Sequence, residues 1–358
     1  KVYSMGHVCM LGTSPESKGG IGTVVRGFVE DIRLEGYSFD HIVTHADRGP
    51  TGKIAIAGAA LAKCALWMRP GAYDLVHIHS AFGASFTRSI PFIRMASKRG
   101  LPLVNHIHAD DWGPFYEEAT DDKKRRIAEV YSSCDRIIAL SQEWAGTLST
   151  VVSDDKIVVL ENFSPVYDEG FIPDWDSKTV IFMSRLERIK GCDILPEICD
   201  EVLSRVPDAK FFICGEGSMG DSLRVELRKR KLDDRVKLLG WIGVDRKIEI
   251  LKQGSVFLLP SYGEGMPMCV LEAMGLGLPV VATNVGGIPQ LVANKKNGYI
   301  CEPGDVKSIS KALIALLGNP KKCSAMSSEA KKSAETRSFS AYSKQLKKIY
   351  DELLGASR

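Results

Sequence analysis

Val180-Ile181-Phe182-Met183-Ser184-Arg185-Leu186-Glu187-Arg188-Ile189-Lys190-Gly191 is the stretch on which the fold turns. Its first four residues form a short apolar run of the kind that makes a buried strand. A basic segment ending in glycine follows, and residues 193–206 then carry apolar side chains at helical spacing. A strand leading through a charged turn into a helix is the opening of a βαβ unit. In open parallel sheets, ligands bind just beyond the carboxyl ends of the strands. At that position Arg185 can fork onto phosphate oxygens, and Lys190 can add a compact positive charge.

The same alternation extends both ways. Downstream, 209–214, 236–239, 256–259 and 280–282 read as strands, with helices at 218–229, 246–253, 267–275 and 306–317. Upstream, 8–11, 75–79, 103–107, 136–140 and 157–160 read as strands, with helical stretches between them, the first at 20–34. This alternation predicts parallel sheets covered by helices. Residues 161–178 break the rhythm with Pro165, Pro173 and no period, as a linker does. At 358 residues the chain also exceeds the roughly 250–300 that one core serves. The expected fold class is therefore α/β, two doubly wound Rossmann-like domains. The expected bounds are 1–165 and 178–338, with a linker at 166–177. Two such units facing each other would enclose a cleft.

Composition narrows the class. A hydrophobic share of 44% with 25% charged residues is globular and excludes a disordered or fibrous chain. Lys plus Arg number 47 against 44 acidic residues, too balanced for nucleic acid binding by bulk charge. Nine cysteines without CxxC spacing, several in apolar runs, read as buried reduced thiols of a cytoplasmic protein. No apolar run reaches the roughly 20 residues of a membrane span, and no signal peptide is visible. The first residue is Lys1, so residues before it are expected. Residues 1–168 hold 18 basic and 20 acidic side chains, and the remainder 29 and 24. Within 321–348 there are eight basic and two acidic residues, a solvated helix face or a contact with a membrane surface.

Three further groups carry chemistry. Ser17-Lys18-Gly19-Gly20-Ile21-Gly22 lies between the first strand and the first helix. Glycines there let backbone approach a ligand, and the helix start offers N–H groups to an anion; a plain tight turn is the alternative. In Pro260-Ser261-Tyr262-Gly263-Glu264-Gly265-Met266-Pro267-Met268-Cys269-Val270-Leu271-Glu272-Ala273, two carboxylates stand eight residues apart. Glu272 falls inside an apolar helical stretch, and glutamate is seldom buried unless paired or used. All seven histidines lie in the first 108 residues. His77-Ile78-His79 and His106-Ile107-His108 each put two imidazoles on one strand face. They could ligate a metal, or line a strand end as polar residues.

The order Gly-Gly-x-Gly, Ser-Arg-Leu-x-x-x-Lys-Gly and Glu-Gly-x-Pro-x-x-x-x-Glu-Ala resembles a family 4 glycosyltransferase with the GT-B fold. Pro279-Val280-Val281-Ala282-Thr283 and Gly286-Gly287-Ile288-Pro289 are similar to the family's next segment. The resemblance implies roles. Arg185 and Lys190 would hold the donor diphosphate and Glu272 the ribose. Glu264 would meet the donor sugar, beside the backbone of Gly265, Met266 and Pro267. Trp241 and Ile242 would cradle the base near Gly215, and Gly20 and Gly22 would face the diphosphate. His108 in His108-Ala109-Asp110-Asp111 is similar to the family's sugar-contacting histidine, with Ala109 in place of the usual glycine. His106 is the runner-up for that role. Asp174-Trp175-Asp176 precedes a strand and is assigned no catalytic part.

The implied activity is retaining, metal-independent transfer from a nucleotide-diphosphate sugar to a hydroxyl acceptor. No cofactor is expected beyond the donor, a UDP- or GDP-sugar. Polysaccharide or glycolipid assembly is the implied setting, with a peripheral contact between the basic C-terminal region and the inner face of the membrane. A final helix at 339–355 is expected to pack back on the first domain. The rival readings are a GT-B nucleotide-sugar epimerase, a glycoside hydrolase, a metal-dependent hydrolase on the histidine pairs, and a non-catalytic binding relative.

Overall fold

The computed structural model describes residues 6–108, 111–164 and 170–356, so Ala109, Asp110 and most of the expected linker's first half lie outside the described residues. The chain divides into two compact units, one of residues 1–162 with 339–358, the other of 163–338.

The first unit runs β1 (Gly6–Thr13), α1 (Gly20–Glu30), β2 (Tyr37–His45), α2 (Pro50–Trp67), β3 (Leu75–Ser80), α3 (Ala84–Lys98), β4 (Leu103–Ile107), α4 (Asp121–Ser132), β5 (Arg136–Ala139), α5 (Gln142–Ser149) and β6 (Ile157–Val159). Its sheet has the order β2-β1-β3-β4-β5-β6, parallel throughout. Every residue of β3 and β4 is buried, as strands covered on both faces require. Strand β2 escapes a search for apolar runs because it is half exposed at the sheet edge, with only Ile42 and Thr44 buried. The sheet turns back between β1 and β3, so the loops after those strands flank the switch point.

The second unit runs β7 (Thr179–Met183), α6 (Leu195–Arg205), β8 (Lys210–Cys214), α7 (Gly220–Lys229), β9 (Val236–Gly240), α8 (Val244–Leu251), β10 (Val256–Leu259), α9 (Met268–Gly275), β11 (Val280–Thr283), α10 (Ile288–Leu291), β12 (Gly298–Cys301), α11 (Val306–Leu317) and α12 (Pro320–Glu335). The order here is β12-β11-β10-β7-β8-β9, also parallel. Counted within the unit this is the 3-2-1-4-5-6 order of dinucleotide-binding sheets, read from the other edge. Its switch point lies between β7 and β10. The basic segment after β7 does not open a helix directly. Arg188–Lys190 forms a single 3₁₀ turn, Gly191 adopts φ 75°, and α6 begins at Leu195.

The last helix, α13 (Phe339–Ala356), belongs to the first unit. It buries Tyr342, Leu346, Ile349, Tyr350 and Leu353 along one stripe. Tyr350 packs against Tyr37, Phe39 and His77, and Tyr342 against Phe28. Among the described residues no helix is long and apolar enough to cross a membrane.

Candidate functional site

The loops after β7, β8, β10 and β11 interlock at one edge of the second sheet. Leu186 N–H donates to Glu216 O at 2.9 Å, Tyr262 N–H to Ile189 O at 2.7 Å, and Gly287 N–H to Gly265 O at 2.7 Å. Gly215 N–H donates to Gly240 O at 2.7 Å. Two glycines make this closeness affordable. Gly191 has φ 75°, and a Cβ there would stand 2.1 Å from Pro260 O. Gly286 has φ 54°, and its Cβ would stand 1.8 Å from Glu264 O. No side chain fits at either place, so the close approach of these loops requires glycine at both positions.

This scaffold brings Lys190 and Glu264 together, from the loops on either side of the switch point. Lys190 Nζ lies 3.0 Å from Glu264 Oε1, with side-chain exposures of only 6% and 8%. Lys190 Nζ also donates to Gly263 O at 3.3 Å. Ser261 Oγ donates to the same Glu264 oxygen at 2.8 Å, and Thr283 Oγ1 holds Ser261 through its carbonyl. A charge this deep requires both a counter-charge and hydrogen bonds. Arg185 is exposed at the mouth of the same loop. Gly265, Met266 and Pro267 are buried and lead into α9.

Glu272 is buried in α9 and accepts from Lys247 Nζ of α8 at 2.7 Å. No sequence pattern marks Lys247 as a partner of Glu272. A lysine on an amphipathic helix carries no signal of burial, and 25 residues separate it from its partner. Cys269, one helical turn before Glu272, is pushed well above the usual thiol range, by burial first and then by the charges of Glu264 and Glu272. Trp241 is half-buried and Ile242 buried, just past the end of β9.

In the first unit, the loop from Ser14 to Gly19 follows β1. Gly22 is buried, with a Cβ position 2.1 Å from Ser17 O, whereas Gly20 is exposed. Arg26 donates to Pro15 O at 2.6 Å, and Lys18 N–H to Asp47 at 2.6 Å, fixing this loop from two sides. His108 sits past the end of β4, its N–H donating to Ser80 O at 2.7 Å. Its Nε2 lies 2.9 Å from His79 Nδ1. Behind it, His79, His77 and His106 stack across β3 and β4. Burial depresses the basicity of all four. His77 and His108 are brought down to about 3, and His79 and His106 are held well below the usual imidazole range, with the neighbouring rings adding to it. The imidazoles are neutral at pH 7.

His77, His79 and His106 place one nitrogen each within 4.8 Å of one another. Hydrolysis on a metal also needs an open coordination position for water. With exposures of 0%, 5% and 0%, and His77 Nδ1 engaged at 2.5 Å by Tyr350 Oη, these rings are built into the core. The hydrolase reading is not favoured.

Residues 168–333 match the model of the glycosyl transferases group 1, and residues 19–164 that of glycosyltransferase family 4. The chain is 27% identical over 228 residues to an uncharacterized glycosyltransferase of Haemophilus influenzae, covering 62% of this chain and 63% of the relative. It is 29% identical over 266 residues to the Escherichia coli UDP-Gal:alpha-D-GlcNAc-diphosphoundecaprenol alpha-1,3-galactosyltransferase, covering 68% of this chain and 66% of the relative. The chain thus spans just under two thirds of these relatives. In fold it is similar to Anabaena HepE in complex with UDP-glucose, with TM-score 0.75, 18% identity and coverage of 97% and 100%. The fold is GT-B, and the chain belongs to the family 4 glycosyltransferases.

Proposed function

We propose that this chain is a retaining, metal-independent glycosyltransferase that moves a sugar from a nucleotide-diphosphate sugar to a hydroxyl acceptor. The observation that carries the reading is the buried Lys190–Glu264 pair at the switch point of the second sheet. In this reading the pair would set a positive charge against a departing diphosphate as it gains negative charge, with a carboxylate beside it for the sugar. Arg185 adds a fork for phosphate oxygens. Glu272, already bound to Lys247, would take the ribose hydroxyls, and Trp241 and Ile242 the base. Gly265, Met266 and Pro267 would flank the sugar with backbone, Gly215 would border the nucleotide, and His108, Gly20 and Gly22 would serve from the first unit.

Two cationic side chains and helix N–H groups supply the charge that a divalent ion would otherwise bring, which supports metal independence. The uridine donors named for the E. coli relative and the HepE complex favour a UDP-sugar over a GDP-sugar. The relative's lipid-linked acceptor supports a place in polysaccharide or glycolipid assembly. Nine free cysteines, eight of them buried, support a cytoplasmic setting. Peripheral membrane contact belongs to the same reading, and the basic charge of 321–348 supports an electrostatic share in it.

The test is a thermal-shift panel of nucleotide sugars, each with and without magnesium. One UDP-sugar is expected to raise the unfolding temperature equally under both conditions, because a ligand that binds only the folded state stabilises it. A shift that appears only with magnesium would overturn metal independence, and no shift with any donor would overturn the site.

A further inference from the structure

A groove of about 590 Å³ opens on the surface of the first unit, a volume that suits a small-molecule ligand. Trp112, Tyr116, Glu117 and Lys124 wall one side, and α5 from Glu143 to Thr150 walls the other. Trp112 stands just past β4, at the end of the sheet where ligands bind. Helix α5 follows β5 and leads away from that end, and Glu143 to Thr150 span about 10 Å along it. The aromatic wall is anchored in the core. Trp112 and Tyr116 stack with ring centroids 4.7 Å apart. Behind them the buried Phe115 stacks on Phe82 at 4.7 Å, and Phe86 ties Phe115 to the fully buried Tyr131. A wall fixed in this way needs no ordering when a ligand arrives.

Gly146 is the second sign of a site. It lies inside α5, where glycine weakens a helix relative to alanine. Its φ is outside the left-handed region, and a Cβ there would meet nothing within 4 Å. Neither backbone conformation nor packing asks for glycine, and what a side chain would fill is the groove. The polar lining narrows the ligand. The carboxylates of Glu117 and Glu143 make no ion pair or hydrogen bond among the described residues. Two carboxylates against one ammonium repel an anion. Lys124 Nζ stands over the Tyr116 ring at 5.6 Å, in the place that a ligand cation would take. A neutral polyol meets neither objection. Its hydroxyls can donate to the carboxylates and accept from Lys124, and the C–H face of a pyranose can pack on the aromatic wall.

We propose that this groove holds a neutral sugar ring of the acceptor, packed on Trp112 and Tyr116 and hydrogen-bonded by Glu117, Glu143 and Lys124. Because the groove runs along α5 away from the strand ends, the ring it holds is a unit other than the one that receives the transferred sugar. The acceptor is therefore a glycan of more than one residue. Assignment to the acceptor rests on the transferase reading, and the binding of a sugar in the groove does not.

Saturation-transfer NMR tests this on the purified chain without a donor. The probes are the methyl glycosides of glucose, galactose, mannose and N-acetylglucosamine, with choline as the cationic control. At least one glycoside is expected to receive saturation, most strongly at its ring C–H protons. Gly146→Leu should weaken its binding at least about fivefold by filling the groove, with an unfolding temperature no lower than the parent's. Glu117→Gln/Glu143→Gln should weaken it about threefold. Both glutamates are exposed, so this variant keeps the test decisive if Gly146→Leu perturbs the helix. Saturation of none of the glycosides, or binding undiminished in both variants, would overturn the proposal. So would a choline signal that Gly146→Leu abolishes, which would make the groove a cation site. A chain that transfers sugar yet fails here loses this groove alone, and one that binds here yet transfers to no acceptor loses the transferase reading and the acceptor role with it.

Discussion

At its switch point the second sheet buries opposite charges, Lys190 against Glu264, and α9 buries Glu272 against Lys247. The first sheet instead buries imidazoles, His77, His79 and His106, next to its own switch point. Both arrangements place polar atoms in a core, but they do so on opposite terms. The charged pair is stable only while both partners are ionised, because removing one leaves a naked charge out of water. The imidazoles are stable only while they are neutral. One unit is therefore sensitive to the loss of a charge and the other to the gain of one.

The largest way to break this comparison is Lys190→Ala. It should lower transfer by about a hundredfold to a thousandfold, the cost of deleting one preorganised positive group in a transition state. It should also lower stability by about 3 kcal/mol, because Glu264 stays buried without its partner. Adding Glu264→Gln should return most of the stability and none of the turnover. Initial rates and denaturant titration on the two variants separate these effects, and transfer within a few fold of the parent would remove Lys190 from the chemistry.

Acid probes the other unit. His77 and His108 have folded-state values of about 3 against 6.5 for the free group. Between those values the unfolded chain binds more protons than the folded one, so stability is full above pH 6.5 and is lost as pH falls towards 3. At pH 5 the loss should be on the order of 2 kcal/mol per buried histidine. The second unit contains no histidine at all. Hydrogen exchange at pH 7 and pH 5 should therefore show protection falling in β3 and β4 more than in β7 and β10. An equal loss in both sheets would contradict the contrast.

The smallest effect sharpens it. Tyr350→Phe removes the hydroxyl bound to His77 Nδ1 and should cost about 1 kcal/mol, with no change in turnover. If turnover falls with stability unchanged, the histidine stack has a part in the reaction.

The sequence disclosed the second site better than the first because close backbone packing leaves marks in residue type. Gly191 and Gly286 stand where a Cβ would strike a carbonyl, and Glu272 interrupts an apolar helix, so each is visible as a departure from pattern. Lys247 left no such mark, since a lysine that turns inward to a carboxylate reads like one that faces water. The histidine pairs showed their strand face but not their purpose, because burial, Tyr350 and the neighbouring rings decide it from far along the chain. Strand β2 was hidden by its polar outer side, and α2 by having no polar side to give a period.

The placement of α13 sets the order in which the protein can be completed. The first unit is begun by residue 6 and interrupted after residue 162, and it receives its closing helix only from residue 339 onward. During synthesis at about 5–20 residues per second, the ribosome needs on the order of ten to forty seconds to pass from Val159 to Phe339. Throughout that interval Tyr37, Phe39 and His77 lack the cover of Tyr350, and Phe28 that of Tyr342. The second unit is continuous and has all its residues by Ser338. The nascent chain therefore can finish the later unit first, while the earlier one waits with an aromatic surface bare, open to chaperones or to capture by another chain.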